Sequence, residues 1–85
     1  MTTFYAVLAG NPDSVDDAVA SAYGLLSSDK GVVREFWPNV GKWKPGGRAA
    51  HAAIAGMADD FAFKVSRSSA SDILTRFDPD AALPK

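Results

Sequence analysis

The chain has 85 residues, a formal net charge of −1 and no cysteine, which excludes disulfides, thiolate metal sites and thiol catalysis. Its single histidine is too few for a multi-histidine metal site, and its longest apolar run, residues 4–9, is too short to cross a bilayer. No Lys or Arg precedes Lys30, so we expect no secretory signal and a cytoplasmic protein. The length predicts one small globular domain over residues 1–85, with residues 80–85 as a loose tail.

The first predicted elements are a strand over residues 3–9 and a helix over residues 15–27. The strand is apolar on both faces, which is typical of the middle of a sheet. Ser14 is the expected N-cap of the helix, with Asp17 at the capping-box position. The helix prediction rests on apolar residues at helical spacing, namely Val15, Val19, Ala22 and Leu26, with Gly31 as a stop nearby.

The middle of the chain predicts a strand over residues 32–37, ended by Pro38, and a helix over residues 48–58. Between them, residues 42–44 fit a loop or a short return strand, and we favour the loop. Gly46 and Gly47 come immediately before the helix, whose sequence is rich in alanine.

Residues 61–66 alternate as a half-buried strand should, but the same apolar residues also fit one long helix reaching Ser66. We favour the strand, because two strands alone rarely make a stable sheet. A last helix over residues 70–77 would be capped by Ser69 and end at Asp78-Pro79. The sequence therefore predicts an α/β (α+β) domain in the order β-α-β-α-β-α, with a three-stranded sheet and three helices.

Charge is unevenly distributed along the chain. Residues 1–29 carry −4, residues 30–51 carry +4, and residues 52–85 carry −1. The basic part interleaves aromatic and cationic side chains, a composition that suits single-stranded nucleic acid because rings stack on bases and cations meet phosphates. These side chains are Phe36, Trp37 and Trp43 with Arg34, Lys42, Lys44 and Arg48. Alternatively, Trp37 and Phe36 belong to the core and the cations are merely solvated.

The aspartates of the first part allow an opposite hypothesis. Asp13, Asp16 and Asp17 surround one helix start, where carboxylates are favoured by the helix dipole. Short carboxylates in such a cluster can also imitate a row of phosphates and occupy the nucleic-acid channel of another protein. Helix capping alone explains the same residues.

Catalytic and metal-binding motifs are weak. His51 is a formal candidate for a general base, but no nucleophile motif accompanies it, and an enzyme is the third-ranked hypothesis. The amides after Gly46-Gly47, with Arg48 beside them, are a candidate anion site, although the glycines also suit a simple turn. Residues 78–80 lack the further acids of a calcium loop, so we expect no metal or other cofactor.

In overall type the chain resembles the small phage-encoded inhibitors, the anti-CRISPR proteins among them: it is very short, without catalytic motif or cysteine, and has a lopsided charge. Fifteen alanines and nine Asp against one Glu are typical of a GC-rich bacterial or phage gene. The resemblance implies inhibition by occluding the nucleic-acid site of a larger nucleoprotein complex. We therefore expect a non-catalytic protein-binding module, with single-stranded nucleic-acid binding through residues 34–48 as the alternative. The expected partner-binding residues are Trp43, Lys42, Lys44, Arg48, Asp13, Asp16 and Asp17.

Overall fold

The structure is a computed structural model that describes residues 2–57 and 61–84. It contains one antiparallel sheet of five strands in the order β4-β3-β2-β1-β5. The expected three-stranded sheet is therefore wrong, although residues 2–57 and 61–84 are α+β with three helices. None of the helices in these ranges is long and apolar enough to cross a membrane. In chain order the elements are β1 Thr3–Leu8, α1 Val15–Ser21, β2 Gly24–Asp29, β3 Val32–Phe36, β4 Trp43–Pro45, α2 Arg48–Ile54, β5 Phe61–Val65 and α3 Arg67–Phe77.

The largest correction is β2, which occupies the second half of the helix predicted over residues 15–27. Leu25 and Leu26 are both fully buried but lie in different core clusters, one on each face of the sheet. Successive side chains on opposite faces are the geometry of a strand, so the helical spacing of Leu26 was coincidental. Gly24 begins the strand under the six-membered ring of Trp37, where any Cβ atom would clash with the indole.

A tight turn joins β2 to β3. Its two central residues, Lys30 and Gly31, have φ angles of 52° and 82°. Positive φ at both positions is what a type I′ hairpin turn requires, and this turn matches the twist of the flanking strands. Gly31 is therefore part of a hairpin turn and does not stop a helix.

The return segment also forms a strand where we favoured a loop. β4 pairs with β3 in antiparallel register, with Trp43 opposite Phe36 and Pro45 opposite Arg34. The Phe36 and Trp43 rings meet edge to face with their centroids 5.5 Å apart, which stabilises this cross-strand pair. Pro45 is tolerated because β4 is an edge strand and the missing amide breaks no inner ladder.

The prediction of a strand at residues 61–66 is confirmed, and the rival long helix is wrong. β5 pairs with β1 over its whole length, from Phe61 opposite Leu8 to Val65 opposite Phe4. The helix α3 begins earlier than predicted, at Arg67. Its N-cap is Ser66, whose Oγ accepts a hydrogen bond from the Ser69 amide at 3.1 Å.

Helices cover both faces of the sheet. On one face α1 and α3 bury Phe4, Leu8, Leu25 and Phe36 together with their own Ala18, Ala70, Ile73 and Leu74. On the other face α2 packs through Ala50 and Ala53 on Val7 and Leu26. Residues 81–84 follow α3, and Ala81 and Leu83 pack on the α1/α3 core.

The strand register fixes which residues share an end of the sheet. The start of β1, the β2–β3 turn and the last residue of β5 lie at one end, since Thr3 is opposite Ser28 and Phe4 is opposite Val65. The opposite end holds Leu8, Gly24 and Phe61.

Candidate functional site

The basic aromatic stretch does not form a single surface. Trp43 and Lys44 are neighbours on β4, so their side chains point to opposite faces of the sheet. Trp43 is half-buried against the α1/α3 core, and its Nε1 donates to the Ala82 carbonyl at 2.9 Å. Lys42, Lys44 and Arg48 are exposed. Trp43 and Lys44 therefore do not form one stacking platform.

The other tryptophan belongs to a buried polar link centred on Glu35, the only glutamate of the chain. The Glu35 side chain is 9% exposed, and its Oε2 accepts a 2.6 Å hydrogen bond from Trp37 Nε1. Its Oε1 accepts a 3.2 Å hydrogen bond from the amide of Gly47, and Gly47 is the N-cap residue of α2. The Gly46 amide donates to the Val33 carbonyl. The amides of Gly46 and Gly47 themselves are thus used within the protein, and the anion at Gly47 is the protein's own carboxylate.

The acidic cluster at the start of α1 is exposed. The N-cap prediction is confirmed, because Ser14 Oγ accepts from the Asp17 amide at 3.1 Å. Asp17 Oδ2 accepts in turn from the Asp13 amide at 3.2 Å. Asp13, Asp16 and Asp17 keep their side chains at the surface while two of them organise the helix start. Capping and partner binding are therefore compatible uses of this cluster.

A second charged surface, which the sequence analysis did not single out, lies at the end of the sheet with the β2–β3 turn. Two adjoining cavities open there, of about 210 and 510 Å³, and both are lined by Thr2 and Asp29. The basic residues around them come from four different elements or turns, so no local pattern in the sequence brings them together. We call this surface the basic end; its cations are Lys30, Arg34, Lys64 and Arg67.

The outer edge of β5 is a third candidate surface. Among the described residues β5 pairs with β1 alone, and it is the last strand of the sheet. Phe61 at its start is 47% exposed, and Met57 shortly before it is 83% exposed. Local sequence indicated the strand but could not indicate that it lies at an edge, because strand order depends on pairings across the whole chain.

The remaining candidates offer little chemistry. His51 is exposed in the last turn of α2. Within residues 2–57 and 61–84 no three His, Cys, Asp or Glu side chains are grouped so that they could hold a metal ion. Asp78 ends α3 as expected, and its Oδ1 accepts from the Asp80 amide.

Two surfaces therefore remain for a functional argument beyond the acidic helix start: the β5 edge and the basic end.

Comparison with known proteins adds no relative to this chain. No family model matches it, and neither the curated proteins nor the solved structures contain a match.

Proposed function

We propose that this chain is a non-catalytic, cytoplasmic protein-binding module that takes an extended segment of its partner as a sixth strand on β5. The observation that supports this is the outer edge of β5, where the side chain of Phe61 is exposed. An edge strand presents a row of backbone N–H and C=O groups that another chain can pair with. Strand addition of this kind obtains its affinity from main-chain hydrogen bonds and its specificity from alternate side chains.

The opposite edge of the sheet is a poorer template. β4 has three residues, and its Pro45 has no amide to donate. β5 has five residues and no proline. Natural edge strands are commonly protected by shortness, by proline or by lysine; β4 shows all three, whereas β5 carries only Lys64.

The side chains of β5 indicate the chemistry of the partner segment. Phe61, Phe63 and Val65 point to the α1/α3 face, so a pairing strand gains most by placing apolar residues there. Lys64 is exposed on the other face, where an acidic residue opposite or diagonal to it is favoured. The proposed partner segment therefore alternates apolar and acidic residues.

In its sharpest form the proposal is inhibition of a nucleoprotein complex. The support for this form is the exposed cluster of Asp13, Asp16 and Asp17, which offers carboxylates to a site built for phosphates. Strand addition on β5 would hold the module on its partner, while the cluster occludes the nucleic-acid site. Both surfaces belong to one small rigid fold, so one partner of ordinary size can meet them together.

Site-specific photo-crosslinking tests the strand addition. A crosslinker at position 61 should capture a partner peptide from the native host extract, and mass spectrometry should place the adduct in a segment with alternating apolar and acidic residues. Lys64→Glu should reduce that adduct at least tenfold, since it sets like charges opposite each other. A crosslinker at Thr75, exposed on α3, is the matched control. Equal capture of the same peptide from positions 61 and 75 would contradict the proposal.

A further inference from the structure

We propose that the basic end binds a small organic phosphate of nucleotide size. The proposal rests on two cavities that meet at Thr2 and Asp29; of their lining residues the protein-binding proposal uses only Lys64 and Val65. The larger, about 510 Å³, falls within the range of about 300–1,000 Å³ that is usual for ligand pockets. The smaller, about 210 Å³, is of a size for a phosphoryl group and its immediate shell.

The lining of the cavities favours an anion. Lys30 and Arg34 line the smaller cavity, and Lys64 and Arg67 line the larger one. Asp29 is the single acid among the lining residues, so cations exceed acids by three. Hydrogen bonds from such cations to phosphate oxygens are roughly twice as strong as those between neutral groups.

Arg67 connects the two cavities. Its guanidinium lies 5.5 Å from the centroid of the Phe4 ring, and Phe4 lines the larger cavity. Its Nη2 donates to the carbonyl of Pro84 at 3.3 Å, and Pro84 lines the smaller cavity. These contacts hold the side chain in place, and the bond to Pro84 uses one of the five N–H groups of the guanidinium. A planar donor fixed in this way is suited to a phosphate, which it can bind with two parallel hydrogen bonds.

The lining also distinguishes the two halves of the ligand. Phe4 and Val65 line the larger cavity but are buried, and the Arg67 guanidinium lies over the Phe4 ring, so the flat group that this cavity presents is the guanidinium. Arginine planes stack on bases. We therefore assign the nucleoside part to the larger cavity and the terminal phosphate to the smaller one, close to Arg34.

This inference and strand addition on β5 can be separated by experiment. Arg34 lies on β3, with β2 and β1 between it and β5. Arg34→Ala therefore changes the basic end and leaves the β5 edge intact. Phe61, in contrast, lines neither cavity.

An NMR titration of the full chain with ADP, and separately with inorganic pyrophosphate, tests the inference. Amide shifts should be concentrated at Thr2, Asp29 and Ser66, and binding should weaken as salt is raised. Arg34→Ala and Lys64→Ala should each weaken ADP binding about tenfold, the usual loss for a hydrogen bond to a charged group. Lys42→Ala removes an exposed lysine that lines neither cavity and should leave the affinity unchanged.

Three results would overturn the inference: no amide shifts at millimolar ADP, equal affinity for wild type and a folded Arg34→Ala variant, or shifts outside the basic end. Pyrophosphate binding as tight as ADP would overturn the assignment of the nucleoside to the larger cavity. Far-UV circular dichroism of each variant checks the fold. Arg34 and Lys64 are both exposed and are replaced in separate variants. If one variant misfolds, the ADP affinity of the other still tests the inference.

Discussion

Replacing Glu35 by Ala should destabilise the domain strongly, although the residue is a charged side chain on a strand. The change removes the bonds from Trp37 Nε1 and the Gly47 amide, and so leaves the backbone hydrogen bond from Gly46 to Val33 between the start of α2 and β3. A hydrogen bond to a charged group contributes about 1.5–3 kcal/mol when its donor is left without a partner. Gly47 is exposed, so water replaces its bond, whereas the Trp37 indole is half-buried. We therefore expect a loss of about 2–4 kcal/mol, a large part of the total stability of a domain of this size.

Urea unfolding followed by far-UV circular dichroism and by tryptophan fluorescence measures this loss. Glu35→Gln keeps the shape but has only one acceptor oxygen for two donors, so it should lose about half as much as Glu35→Ala. Lys44 stands opposite Glu35 on β4 and is exposed; Lys44→Ala is the matched control and should stay within about 0.5 kcal/mol of wild type. If Glu35→Ala also stayed within that margin, the carboxylate would not be what fastens α2 to the sheet.

Other substitutions test the fold and the acidic cluster. Gly24→Ala should lose about 1–3 kcal/mol in urea unfolding, because its Cβ meets the indole packed over it; an unchanged midpoint would refute this packing. Lys30→Gly should gain about 0.5–1 kcal/mol by relieving a positive φ, and a loss in thermal unfolding would contradict the turn geometry. Trp43→Ala should lose about 2–3 kcal/mol of stability, since the ring packs on the core; a variant as stable as wild type would indicate that Trp43 is a surface residue. Reversing Asp16 and Asp17 to Lys should lose roughly 1–2 kcal/mol and slow association with the partner; unchanged association kinetics would exclude the cluster from the interface.

Local pattern predicted β1, which is apolar on both faces, whereas the alternation of β5 also fitted a helix and was decided by the need for a third strand. The starts of α1 and α2 and the end of α3 were placed correctly. β2 was missed because Leu25 and Leu26 are adjacent and both buried, which fits either a helix stripe or a strand covered on both faces. Gly31 between two runs of apolar residues favours a hairpin turn there, although Lys-Gly is not one of the strong two-residue turn pairs.

The candidate surfaces were harder to predict because each depends on pairings between distant parts of the chain. Trp43 and Lys44 look like one aromatic and basic patch in sequence, but pairing with β3 sends them to opposite faces. Arg34 and Arg67, in contrast, are 33 positions apart and belong to the same end of the sheet. The exposure of Phe61 follows from the position of β5 at the edge, which no local period encodes.

The position of β5 beside β1 also governs how this chain folds. The strands of the β2–β3–β4 meander pair through short connections. β1, in contrast, pairs along its second side with β5, which lies about sixty residues further along the chain. Long-range pairings of this kind slow folding and form after the local hairpins. On the ribosome, β1 therefore leaves the exit tunnel with one flank unpaired until β5 has been synthesised. β1 has six residues and is apolar on both faces. Its unpaired flank is therefore the part of the chain most prone to misassembly during synthesis.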